Sequence, residues 1–296
     1  TRFHFDRQMD VLGQWVDAAL FQPYLDIENT PNWFTSGTSM RLFSSYFLVL
    51  FVGAFFAYWI FAGSAYLLLF HVFKGKLLPE EKTVVKKGRI WEEIKVSHKA
   101  MPPLAAMIAA IYVLHAKGYG RVYTDVDEYG WGYFFFSIPW FIIFTDFMIY
   151  WAHRWLHVQP FYKWFHALHH HFLYPTPFAA YAFHPIDGFV QGVPYHIFTF
   201  LFPFHNWLYL AMMVAVQFWT ITIHDRLDLA GTGNSWRWII NGAEHHTLHH
   251  THCKCNYGQY TTIWDRIGGS YRAAAGNDPP VKDELAHLDE KHSKSN

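Results

Sequence analysis

Two cysteines in 296 residues, Cys253 and Cys255, are too few for a disulfide framework or a cysteine-rich zinc module. A pair one residue apart also bridges poorly and lacks the x-x spacing of a metal knuckle, so both thiols are expected to be incidental. Charge is scarce as well. Asp, Glu, Lys and Arg make up 16% of the chain, below the roughly 25% of soluble domains, and 23 basic residues balance 23 acidic ones. Zero net charge argues against a nucleic-acid partner. No glycine-rich nucleotide loop occurs. Paired Glu-x-x-His motifs, the signature of carboxylate-bridged dimetal bundles, are also missing; the one such spacing is Glu284 to His287 in a polar tail.

Apolar residues fill the space. They make up 52% of the chain, aromatics 21%, and they gather in long runs. Residues 42–73 exceed the roughly 20 residues that span a bilayer core. Met101–Leu114, shorter and compatible with a re-entrant helix, and Gly132–Trp151 read as a hairpin about the polar turn Tyr119–Tyr129. Gly188–Ile223 is too long for one crossing and breaks at Pro203-Phe204-His205-Asn206, which reads as a second hairpin. Between Lys74 and Lys99 stand eight Lys or Arg against four Glu, so the positive-inside rule places this loop in the cytosol and the N-terminus in the lumen. Counting crossings puts His153, His184, His224 and His246 on the cytosolic side. The expectation is an all-α, multi-span membrane protein with a cytosolic helical cap. Its parts would be a lumenal or interfacial segment at 1–41, with Phe5–Ile27 amphipathic, a membrane-embedded domain at 42–272, and a disordered polar tail at 273–296.

Histidine is the informative residue. There are 21, and three clusters stand out: His153 and His157 in HRWLH, His166, His169 and His170 in HALHH, and His246, His249 and His250 in HTLHH. Helical residues three and four apart share a face, so each cluster aims two or three imidazoles one way. Chance accounts for one pair more easily than for three clusters, two with the same H-x-x-H-H pattern. Eight imidazoles exceed one four-coordinate site, so two metal ions are the natural count. Asp146, Asp187, Asp225, Glu244 and Asp265 could orient imidazole N–H groups, or serve as ordinary caps and surface carboxylates. Trp151, Trp155, Trp164, Phe165, Tyr181 and Phe183 fit a substrate slot and an interfacial aromatic belt equally well.

The stretch from Thr145 to Arg272 resembles the sterol C5-desaturase (lathosterol oxidase) branch of the fatty-acid hydroxylase and sterol desaturase superfamily. The resemblance rests on TDFMIYWAHRWLH, PTPFAAYAFHPIDGFVQGVPYH, WTITIHD and HHTLHH followed by NYGQYTTIWDRIGGSYR. It implies an O2-dependent enzyme of the endoplasmic reticulum membrane, with two non-haem iron ions, that introduces the 5,6 double bond into a Δ7-sterol. Electrons would come from cytochrome b5 and its NADH reductase, with the donor expected to be a separate protein. The family's histidine boxes fall on the eight histidines above, and His184 and His224 match further family positions that could complete two coordination spheres. THCKC replaces the aromatic-rich stretch usual after the last box, and His171 and His245 blur the register of the second and third boxes. Zinc cannot cycle electrons, whereas iron beside a membrane can activate O2 against an unactivated C–H bond. A C4-methyl sterol oxidase or lipid hydroxylase of the same superfamily is the alternative, and a non-catalytic protein with structural zinc is a third.

Overall fold

The computed structural model describes residues 38–227 and 238–273. The expected N-terminal amphipathic segment and polar tail, with the Glu284 to His287 spacing, lie outside the described residues. Three described helices are long and apolar enough to cross a membrane. Helix α1, Ser39–Leu67, starts at Thr38, whose hydroxyl accepts the Arg41 N–H, and runs on through a π-helical turn at Leu68–Val72. Helix α2 is Arg89–Ala116 and α3 is Gly130–Leu156. Two shorter helices of 17 residues each, α4 (Pro185–Leu201) and α5 (Asn206–Thr222), form the second hairpin. At about 1.5 Å per residue each reaches roughly 25 Å, a little short of the bilayer core. Helices α6 (Ala243–His252) and α7 (Ile263–Ile267) belong to the cap.

The second span corrects the sequence expectation. Its polar first half, which reads as part of the basic loop, is helix, and α2 runs 28 residues. The reason is that its buried face is polar: Glu93 accepts from the Thr176 amide and hydroxyl, and Ser97 donates to the Phe178 carbonyl at 3.0 Å. Tyr58 of α1 donates to the same carbonyl at 3.1 Å. These bonds anchor the 3-10 turn Pro177–Tyr181 between α1 and α2, where Tyr58, Ala62, Met101, Phe178 and Ile221 form one core cluster.

At the end of the hairpins away from the histidines, strands β1 (Val122–Tyr123) and β2 (Phe204–His205) pair in parallel. Arg121 and Thr199 extend this clamp, the Arg121 amide donating to the Thr199 carbonyl at 2.7 Å. The clamp ties the α2–α3 connection to the α4–α5 turn, over a core of Phe141, Phe198, Phe204 and Tyr209. Both hairpins therefore return to one end, where His153, His184, His224 and the cap lie. The basic loop lies there too: Lys82 pairs with Glu244 of α6 at 3.0 Å. Arg226, buried and held at φ 67°, donates to the carbonyls of Lys82, Val84, Tyr174 and Pro175. A positive φ is costly for a long side chain, and this four-carbonyl staple compensates for it.

Asp146 in α3 fixes the cap from below. Its carboxylate accepts from the amides of Gln259, Tyr260 and Thr261 and from the Thr261 hydroxyl, at 2.6–3.2 Å. Asp146→Ala would strand four donors, each costing about 1–3 kcal/mol if left unpaired. A fall in thermal midpoint of the detergent-solubilised protein is expected, smaller for Asp146→Asn, with differential scanning fluorimetry as the check.

Candidate metal centre

Nine of the ten histidines singled out in the sequence converge into two groups. His153, His157, His166, His170 and His249 form one, and His169, His224, His246 and His250 the other; within each, the donor atoms lie within 4.8 Å of one another. The groups do not follow the sequence clusters. In both H-x-x-H-H boxes the i,i+4 pair stays together and the i+3 histidine crosses to the other group. Thus His166 and His170 meet at 3.1 Å while His169 crosses, and His246 and His250 meet at 3.1 Å while His249 crosses. In α6, residues i and i+4 are about 40° apart and i+3 falls on the other side of the first, which separates the two destinations; in HALHH a π-helical turn ending at His166 and a 3-10 turn at His169–His171 give the same split. His153 and His157, from the last turn of α3 and its cap, complete the first group, and His224, just past α5, completes the second.

His184 stands apart. Its Nδ1 accepts the Ile186 N–H at 3.2 Å as the N-cap of α4, and its ring lies against Phe165. His245 packs against Tyr271 with tilted rings, and neither it nor His171 enters a group. Cys253 ends α6 at φ 57°, its Sγ 3.3 Å from the outer nitrogen of His170, and neither cysteine is within a donor group.

The outer nitrogens show what the inner ones are for. His153 Nδ1 donates to the Tyr257 carbonyl (3.0 Å), His170 Nδ1 to that of His250 (3.2 Å) and His249 Nδ1 to that of Cys255 (2.7 Å). His169 Nδ1 donates to the Ala182 carbonyl (3.4 Å) and His224 Nδ1 to that of Thr220 (2.6 Å). His166 Nδ1 donates to Asp187 Oδ2 at 2.8 Å. A neutral imidazole has one N–H, so a proton held at Nδ1 leaves Nε2 as a bare lone pair. Yet Nε2 of His166 sits 3.1 Å from the Nε2 atoms of both His153 and His170. These lone pairs cannot bond one another. A metal–imidazole bond of about 2.1 Å would place neighbouring donors about 3.0–3.4 Å apart, which matches these contacts and those of His157 with His249 (3.2 Å) and His224 with His246 (3.0 Å). The residues fit a metal in each group.

Electrostatics agrees. Burial and mutual repulsion hold His166, His169, His246, His249 and His250 well below the usual imidazole range. His170 and His224 are pushed down to about 4, burial being the main cause. Neutral imidazole is the ligand form.

Of the five acids flagged in the sequence, Asp187 orients an imidazole directly. Asp265 acts one step removed: it accepts the Tyr257 and Gly258 amides at 2.8 Å and so fixes the Tyr257 carbonyl that holds His153. A side chain at Gly258 would put Cβ 2.3 Å from the Thr261 carbonyl, so this turn requires glycine. Asp146 braces the next residues, Glu244 pairs with Lys82, and Asp225 accepts the Leu227 amide. The five carbonyls that do most of the orienting have no side-chain signature in the sequence.

Beneath the groups lies a largely apolar cavity of about 800 Å³ between α1, α2, α4 and α5. His153, His169, His224 and His246 reach its wall at one end, and Tyr112, His196, Tyr209 and Asn206 line it toward the β1–β2 clamp. Trp207, Leu210 and Val214 of α5 line it yet are 69%, 48% and 49% exposed, and Gly53 of α1 is exposed too. The cavity thus reaches the outer apolar surface between α1 and α5.

Residues 138–270 match the fatty acid hydroxylase family. A Δ7-sterol 5(6)-desaturase of Gibberella zeae is 49% identical over 187 residues, 63% of this chain and 52% of that protein. A probable Δ7-sterol 5(6)-desaturase of Neurospora crassa is 43% identical over 79% of this chain and 65% of its own. Human lathosterol oxidase is 39% identical over 266 residues, 89% of this chain and 85% of that one. The chain thus spans about half to two thirds of these fungal relatives and most of the human one. No solved structure matches.

The metal-free protein should weaken in acid. With native His170 and His224 near 4 and an unfolded value of about 6.5, the unfolded chain binds more protons between these limits. Their contribution is complete above about pH 6.5 and lost as pH falls toward 4, by up to about 1.4 kcal/mol per group per pH unit. Thermal midpoints of chelator-treated protein at pH 7 and 5 test this, with the lower value expected at pH 5.

Proposed function

Because the chain belongs to the sterol 5(6)-desaturase and lathosterol oxidase family of fatty acid hydroxylases, we propose that it removes the C5 and C6 hydrogens of a Δ7-sterol. The product is a 5,7-diene sterol. The observation that carries this reading is the continuity of an apolar, ligand-sized cavity with three of the four histidines of one group. Two non-haem iron ions, held by His153, His157, His166, His170 and His249 and by His169, His224, His246 and His250, would supply O2 activation strong enough for unactivated C–H bonds. His184 acts from outside this set as the cap of α4.

The chain's residues do the positioning. Walls from α1, α2, α4 and α5 exclude water and fix the ring system so that the second hydrogen is removed before a hydroxyl can return to the first carbon. The carbonyl and Asp187 acceptors keep each donor imidazole neutral and correctly turned. Reduction of O2 to two waters takes two hydrogens from the sterol plus two electrons and two protons from outside. Cytochrome b5, fed by its NADH reductase, is the proposed electron source. The exposed Lys74, Lys76, Lys86 and Lys87, in the loop whose Lys82 is bonded to the cap, offer an acidic donor a surface beside the metal groups. With that loop in the cytosol by the positive-inside rule, the cap faces the cytosol from a multi-pass endoplasmic reticulum membrane.

Expression in membranes of cells lacking their own C5-desaturase should yield sterols with the ultraviolet bands of a conjugated 5,7-diene. His169→Ala should abolish them. Purified protein should hold about two irons, and about one in the His169→Ala variant, whose second group keeps three donors. Hydroxylated sterol in place of diene, from iron-loaded protein supplied with cytochrome b5, would overturn the desaturase reading in favour of a hydroxylase or C4-methyl oxidase.

A further inference from the structure

The cavity is apolar enough for a sterol skeleton, but a sterol carries one polar group, the hydroxyl on ring A, and burying it unpaired is costly. Ring A adjoins C5, so the partner of that hydroxyl must stand beside the histidine groups when C5 and C6 face them. This removes Tyr112, His196 and Tyr209, which lie toward the β1–β2 clamp and bond among themselves, His196 Nδ1 lying 2.5 Å from the Tyr209 hydroxyl. Near the histidines the cavity wall holds three glutamines. Gln217 already accepts from the Tyr181 hydroxyl, and the Gln259 amide nitrogen donates to Thr220 Oγ1 at 3.2 Å.

Gln191 differs. One helical turn after Asp187 on α4, it donates Nε2 to Asp187 Oδ1 at 2.7 Å, while Asp187 Oδ2 takes the Nδ1–H of His166. A carboxylate only accepts, so the amide orientation is fixed and Oε1 is the atom turned away from Asp187. No hydrogen bond to Oε1 occurs among the described residues. Next to it, Gly192 also lines the cavity, and a Cβ there would meet nothing within 4 Å. A preset acceptor thus stands one carboxylate away from a histidine of the first group, beside room for a ring edge.

We propose that Gln191 is the specificity residue that accepts the hydrogen bond of the substrate's ring-A hydroxyl and sets the depth at which the ring system meets the metal groups. The assignment rests on the sterol reading above. It makes Gln191 a substrate contact as well as the brace of Asp187.

The test compares a Δ7-sterol with its 3-deoxy analogue, in the full-length protein and in Gln191→Met, which keeps volume but removes the amide. For the unmodified protein, kcat/KM should fall roughly tenfold on loss of the hydroxyl, about the value of one hydrogen bond. Gln191→Met should lower kcat/KM about tenfold more on the sterol than on the analogue, since loss of the Asp187 brace acts equally on both. Gln191→Asn, which retracts the amide by one carbon, should show an intermediate preference and serves if the Met variant does not fold. Equal losses on both substrates would mean a structural role only, and a variant that still prefers the hydroxylated substrate would place its partner elsewhere; either overturns the proposal. Failure of the unmodified protein to form diene from the sterol would instead overturn the reading on which it rests, before any variant is compared.

Discussion

Everything in this molecule is arranged around imidazole lone pairs that repel one another. At least three Nε2 atoms, those of His153, His166 and His170, are pressed to about 3 Å with their protons pinned on the opposite nitrogen. Such an arrangement has no stability of its own; it must be forced by the surrounding fold and relieved by a cation. The forcing is visible in what lies behind each ring. Five main-chain carbonyls and one carboxylate hold the outer nitrogens, and the Tyr257 carbonyl is itself fixed by Asp265 and the turn at Gly258.

The exchange of histidines between the two boxes follows from the same constraint. One helical face cannot present three donors to a single ion without distortion, because the i+3 position points away from the i,i+4 pair. Two boxes facing each other solve this by trading their odd members, so that each group draws on both boxes. Five donors gather in one group and four in the other. The smaller group also supplies three of the four histidines on the cavity wall, so the less saturated centre is the one nearer the place where a substrate fits.

Much of this could be read from residue order. The spans at 42–73 and 132–151, the break at Pro203 and eight of the nine histidines that gather into the two groups are legible from apolar runs and cluster spacing, His224 from the family resemblance alone. Partition into groups was not, since it depends on which face of each box meets which neighbour. The start of α2 was hidden because Glu93 and Ser97 are buried for hydrogen bonding and not for hydrophobicity. His184 matched the pattern of a donor, but a histidine before a helix-initiating Pro185 can equally cap the helix, as its Nδ1 does. The orienting carbonyls were beyond reach, as every residue has one.

The cavity's reach to the outer surface between α1 and α5 has a consequence for how the protein meets its ligand. Trp207, Leu210 and Val214 touch the cavity interior and the apolar exterior alike, so nothing needs to pass through water to enter or leave. Encounter is then a two-dimensional event, governed by the mole fraction of ligand in the surrounding lipid rather than by its amount per volume of solution. Diluting the bilayer with inert lipid would slow ligand exchange at constant total ligand, and a released ligand would return to the lipid pool from which it came.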